Sequence, residues 1–176
     1  MRIQSMGTCL SAVLCLAAAP LPSCRGKPAG PIEIAAFPLD GLDGVIDRSE
    51  AAFDPAVSSD GKGSLKIESG APVTVRLFEV RAQKLDRSQL TYQARLRTEK
   101  VGGKAYLEML CHFPGGSEFF SRGLKDPLSA DTGWVTQQIP FFLKKGENPD
   151  FVRLNVVLEG SGTVWIDDIH LYKTPL

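Results

Sequence analysis

Gly162-Thr163-Val164-Trp165-Ile166-Asp167-Asp168-Ile169-His170-Leu171-Tyr172 is an apolar, β-prone run broken by two adjacent aspartates near the end of the chain. Val, Trp, Ile and Tyr favour a strand that is at least half buried. Carboxylates are seldom buried without a partner. The stretch therefore predicts a core strand and an ion or hydrogen-bond site within it.

Upstream, short β-type segments separated by turn residues repeat the same pattern. They are expected at Ile32 to Phe37, Ala51 to Val57, Ser64 to Glu68, Pro72 to Val80 and Leu90 to Thr98. Lys104 to Phe113, Glu118 to Ser121, Trp134 to Phe142, Phe151 to Glu159 and Thr163 to Tyr172 complete the set. Leu90, Tyr92, Ala94 and Leu96 alternate with Thr91, Gln93, Arg95 and Arg97, and Val152, Leu154, Val156 and Leu158 alternate with Arg153, Asn155, Val157 and Glu159. Period-two alternation marks a strand with one wet face. No segment carries a sustained helical period. The expectation is an all-β, antiparallel β-sandwich over residues 32–176.

The 176 residues hold 43% hydrophobic side chains, and 20 Lys and Arg balance 20 Asp and Glu. There is room for one domain after a leader, with no basic excess to suggest a nucleic-acid partner. Residues 1–23 read as a signal peptide of lipoprotein type, with Arg2 ahead of a short apolar run from Cys9 to Ala19. Leu21-Pro22-Ser23-Cys24 resembles a bacterial lipobox, which makes Cys24 the expected lipidation site; simple secretion is the alternative. Residues 24–31 are rich in Pro, Gly and charge and read as a tether. The expected location is the bacterial cell envelope, lipid-anchored on the periplasmic or extracellular face. Arg25 after Cys24 points to the outer membrane if the organism is Gram-negative. Cys111 is then the one cysteine in the body, so no internal disulfide is expected.

Three motifs in order carry a resemblance: Gly63-Ser64-Leu65-Lys66-Ile67 after a Gly-rich turn, Thr132-Gly133-Trp134 with Pro140-Phe141, and Gly162 to Ile169 at the end. Together they resemble the galactose-binding-domain-like jelly rolls, which include many bacterial carbohydrate-binding modules. The resemblance covers most of residues 32 to 173. It implies a jelly roll that binds sugar on a concave sheet or in edge loops. It also implies a structural calcium held by Asp167, with Asp40 or Asp43 replacing the Glu that often follows the first strand; here Pro38 follows Phe37. The competing reading of Asp167 is a carboxylate that caps backbone N–H groups or pairs with Arg.

Arg95, Arg97, Tyr106, Glu108, His112, Arg153 and Asn155 are expected to project away from the core, with side chains of the types that bind sugars. Phe119, Phe120 and Arg122 sit beside a Pro-Gly-Gly turn; in a short strand one ring packs inward and the other is exposed beside Arg122, and the competing reading has both rings covering the sandwich end. The candidate ligand-binding set is Tyr106, Glu108, Phe119, Phe120, Arg122, Arg153 and Asn155. Trp134 and Trp165 read as core. Catalysis finds little support. His112 and His170 are the only histidines, and Gly115-Gly116-Ser117-Glu118-Phe119 lacks the second Gly of a nucleophile elbow; Glu108 and Glu118 could converge in space as a carboxylate pair for glycoside cleavage. The function expected is non-catalytic carbohydrate binding, with a structural or protein-interaction domain of the envelope as the alternative.

Overall fold

Ten strands form where the sequence alternates or runs β-branched, and turns fall where Gly, Pro and Asp collect. They are β1 (Ile32–Phe37), β2 (Ala52–Asp54), β3 (Ser64–Ser69), β4 (Val73–Val80) and β5 (Ser88–Glu99), then β6 (Lys104–His112), β7 (Glu118–Arg122), β8 (Thr132–Leu143), β9 (Phe151–Glu159) and β10 (Gly162–Pro175). The computed structural model describes residues 30–176 and contains no helix among them. The leader at 1–23, Cys24 and most of the tether lie outside the described residues.

Two antiparallel sheets face each other as a β-sandwich of jelly-roll type. One runs β2-β3-β10-β5-β8, with β1 added along β10; the other runs β4-β9-β6-β7. Their facing sides meet in one core. Leu90, Tyr92, Ala94 and Leu96 enter it from β5, and Val152, Leu154, Val156 and Leu158 enter from β9. Both alternations thus place their apolar sets inward. Burial of side chains this size is worth about 1.5–3 kcal/mol each before chain entropy is charged against it.

The last strand sits at the centre of its sheet. Gly162 to Ile166 pair with β3, Ile169 to Lys173 pair with β1, and both halves pair with β5. Between the halves the register to β5 shifts, and Asp168 takes a positive φ of 51°. This β-bulge inserts one residue. Val164 and Ile166 enter the core before it, and Ile169 and Leu171 enter after it, although the two pairs have opposite parity. Strict alternation along the strand, which would group Asp167 with Ile169 and Leu171, is corrected by the bulge. At the start of β10, Gly162 has φ 135°, and a Cβ there would stand 2.7 Å from the Lys100 carbonyl oxygen, so only glycine fits.

Trp165 corrects a second expectation. It is buried, yet it lies on the outer side of its sheet, outside the core cluster. Lys66 and Arg97 flank its ring at 5.9 and 5.3 Å from the ring centroid, and its Nε1–H donates to Asp54 Oδ2 at 2.9 Å. Aliphatic stems and cation–π contacts cover the indole from the solvent side. Trp134 is only half-buried.

Candidate functional site

The outer side of the four-stranded sheet gathers most of the residues singled out in the sequence. Strand pairing sets Arg122 of β7 opposite Glu108 of β6, Glu108 opposite Asn155 of β9, and Asn155 opposite Arg76 of β4. The next row holds Phe120, Leu110, Arg153 and Glu79, and the row on the other side holds Tyr106, Val157 and Thr74. Tyr106, Glu108, Phe120, Arg122, Arg153 and Asn155 therefore share one face. Period-two geometry does this work, since each is an outward residue on a neighbouring strand.

Two expectations for the polar face are corrected. Arg95 and Arg97 belong to β5 and lie on the outer side of the other sheet. Phe119 alternates to the opposite side of β7 from Phe120, yet neither ring turns into the core. They are 58% and 48% exposed because β7 is the sheet's edge. Phe119 meets Phe113 edge-on, with ring centroids 5.7 Å apart.

The centre of the face is a bonded polar set. Arg122 Nε donates to Glu108 Oε2 at 2.6 Å, and Asn155 Nδ2 donates to Glu108 Oε1 at 2.9 Å. Glu108 and Asn155 are only 5% and 3% exposed, although no further sheet covers them among the described residues. The face dips between rims of long side chains. Tyr106 O–H donates to Glu159 Oε1 at 2.7 Å; burial and this carboxylate push the phenol up to about 12. Tyr106, Glu108, Arg122, Thr74, Val157 and Glu159 enclose a depression of about 290 Å³.

Every arginine on the face has a carboxylate beside it. Arg76 binds Asp47, Arg81 and Arg153 both reach Glu79, and Arg122 holds Glu108. The Arg76 hydrogen bond draws Asp47 below the usual carboxylate range. Paired in this way, the charges largely cancel, and what remains is a field of directed donors and acceptors. Two aromatic rings stand at the rims: Phe120, with the Arg122 guanidinium 5.0 Å from its centroid, and Phe151, stacked on His112 at 4.6 Å. The sequence singled out neither Arg76 nor Phe151. Arg76 follows no clean alternation because a bulge interrupts β4 between Arg76 and Phe78.

Cys111 and His112 point to opposite sides of β6. The thiol is buried in the core, where desolvation pushes it up to about 12, far from nucleophilic range. Glu108 and Glu118 lie on one face but four residues apart in register. At about 3.3 Å per residue they are roughly 13 Å apart along the strands, beyond the separation that glycoside cleavage needs.

The Asp pair of β10 has a local task. Asp167, 1% exposed, accepts hydrogen bonds from Ser59 N–H and Asp168 N–H, both at 2.9 Å. One carboxylate thus pins the 58–62 turn to the bulge. Asp40 lies 3.9 Å from Lys62 Nζ, and Asp60, Asp40 and Asp167 all raise the lysine's pKa. Each Asp167 oxygen takes an N–H, an ammonium stands beside Asp40, and no cluster of three or more His, Cys, Asp or Glu suited to a metal occurs among the described residues. Asp168 instead meets His170 Nε2 at 2.9 Å, and Glu33 of β1 bonds the other ring nitrogen.

No protein-family model and no curated protein matches the sequence. Solved structures do match the fold. A family 16 carbohydrate-binding module is 15% identical, with a TM-score of 0.55, over 75% of this chain and 92% of that one. The CBM22-1 xylan-binding domain of Paenibacillus barcinonensis Xyn10C is 10% identical, with a TM-score of 0.56, over 86% and 99%. The CBM22-1–GH10 modules of Clostridium thermocellum Xyn10B, solved with xylohexaose, are 11% identical with a TM-score of 0.56; the match covers 81% of this chain and 28% of that one. The domain thus has the β-sandwich fold of carbohydrate-binding modules.

Proposed function

We propose that the outer face of the four-stranded sheet binds a neutral carbohydrate without cleaving it. The observation that carries this is the row Arg122–Glu108–Asn155, in which buried Glu108 is bonded by buried Asn155 and by exposed Arg122, placed beside the exposed ring of Phe120. Sugars are recognised by side chains that direct hydrogen bonds at hydroxyls while an aromatic ring packs on the C–H side. A preorganised set loses little entropy on binding. Cancellation of charge among the arginines and their carboxylates favours an uncharged glycan over an acidic one. The fold likeness to carbohydrate-binding modules supports the same reading, as does the wide separation of Glu108 and Glu118.

Affinity electrophoresis in xylan and an array of neutral and acidic glycans test it. Retardation or capture by a neutral glycan, without release of shorter products, is the expected result. Silence across both classes would favour an envelope domain that binds protein or serves structure.

Leu21-Pro22-Ser23-Cys24 supports a bacterial lipoprotein anchored through Cys24, with the domain carried on the envelope by the tether. Metabolic labelling with a fatty-acid analogue, expected in the native chain and absent in Cys24→Ser, checks the anchor.

A further inference from the structure

Arg122 ends β7 and Gly123 follows it, at the corner where the sheet face turns into the side of the sandwich. Beyond that corner lies a second, larger groove of about 540 Å³ between β8 and the loop at 123–130. Arg122, Pro127, Val135, Gln137, Gln138 and Pro140 wall it, so Arg122 borders both the groove and the face depression. The corner is thin. Gly123 N–H donates to the Leu107 carbonyl at 2.9 Å, and a Cβ on Gly123 would meet Tyr106 Cβ at 3.3 Å and Ile139 Cγ2 at 3.4 Å. Backbone alone therefore separates a residue of the face from a residue of the groove.

Gln137 shows what the groove lacks. It occupies an inward position of β8, in step with Ile139 and Leu143, where the other strands place apolar side chains. It is 8% exposed, and its Nε2 donates to the Asp126 carbonyl at 2.7 Å. Its Oε1 is buried with no hydrogen-bond partner. An acceptor left unmade in this way is costly, and a hydroxyl donor arriving through the groove would satisfy it. The remaining wall offers Pro127, Pro140 and Val135 for the C–H side of a sugar ring. Arg122 uses only Nε on Glu108 among the described residues, which leaves its terminal amino groups for a ligand at the corner.

We propose that this groove is a second subsite for one and the same ligand. A neutral polysaccharide laid across the sheet face turns over the corner at Arg122 and Gly123 and seats further sugar units in the groove, where a hydroxyl donates to Gln137 Oε1. The inference rests on the reading of the sheet face as a glycan site. A β-strand from another protein is the poorer occupant of this side. Pro140 lacks an N–H, and Ser121 Oγ takes its carbonyl at 2.6 Å, which closes that stretch of the β8 edge to strand addition.

The test is calorimetric titration of the full chain with xylobiose and xylohexaose, and with cellobiose and cellohexaose alongside. Wild type, Val135→Trp (which fills the groove from an exposed position) and Gln137→Leu (which removes the acceptor) are compared. The hexaose is expected to bind about tenfold tighter than the biose or better. Both variants are expected to shrink that ratio while the biose affinity stays unchanged. Equal affinity for short and long chains, or a ratio unaffected by either variant, overturns the groove and leaves the face site standing. Failure of every neutral glycan to bind removes the face reading and this one with it.

Discussion

Asn155 donates to Glu108 across the β6–β9 seam, so the most buried carboxylate of the outer face is held by a neighbouring amide as well as by an arginine. Replacing Glu108 with Ala strands the Asn155 amide in a dip that water scarcely enters. The expected cost is about 1–3 kcal/mol in chemical denaturation, with loss of glycan binding. A stability change within error would mean that the seam is solvated and not preorganised.

Phe120 separates binding from folding. Its ring is half exposed on an edge strand, so Phe120→Ala should alter stability by less than about 0.5 kcal/mol. Glycan affinity should nonetheless fall by about tenfold or more. Unchanged retardation in xylan or any other retarding glycan would take the aromatic platform away from Phe120.

His170 predicts a pH dependence of known sign. Burial works against its charged form, but the hydrogen bonds it donates to Glu33 and Asp168 outweigh it and raise the imidazole above its ordinary value. A raised folded value means that the stabilisation is fully present below about pH 6.5, the ordinary histidine value, and is lost as pH climbs through the folded one. The charged imidazole ties β1 to the bulge of β10, so the melting temperature of wild type relative to His170→Gln should decline over that interval. Parallel melting curves at all pH values would show that the cluster contributes nothing.

Asp167 is expected to behave as a cap. Neither excess chelator nor added calcium should move the melting temperature, whereas Asp167→Ala should cost about 1–3 kcal/mol by releasing Ser59 and Asp168 N–H groups. A chelator-induced drop in melting temperature would restore the metal.

Cys111 should resist alkylation in the folded chain, because its thiol is buried and pushed up to about 12. Peptide mass spectrometry after iodoacetamide treatment should find it modified only in denaturant. Modification of the native chain would mean that the core opens at β6.

The strands were legible because their signals are local. β1 and β9 begin and end where turn residues bracket the alternation, and the inward sets of β5 and β9 follow from parity alone. The face could be read in part for the same reason: Tyr106, Glu108, Arg153 and Asn155 are outward residues of alternating strands. What stayed hidden depends on pairing between distant segments. Arg95 and Arg97 look like members of the same face until β5 is placed in the other sheet. Trp165 looks like core until Lys66 and Arg97 are seen to cover it from outside. Gln137 carries no signal at all in sequence, since its missing partner is a property of the loop folded over it.

The extra residue at Asp168 has a consequence for how this domain tolerates change. β10 reads in two frames: Val164 and Ile166 in one, Ile169 and Leu171 in the other, with the bulge as the punctuation between them. Deleting that single residue would leave composition and strand propensity almost untouched. It would also erase the bulge, so that Val164, Ile166, Ile169 and Leu171 fall in one unbroken alternation on the core side, while the Asp168 contact with His170 is lost. Point substitutions along β10 are graded insults to the domain, but a one-residue deletion that leaves the bulge in place is a frameshift of the core.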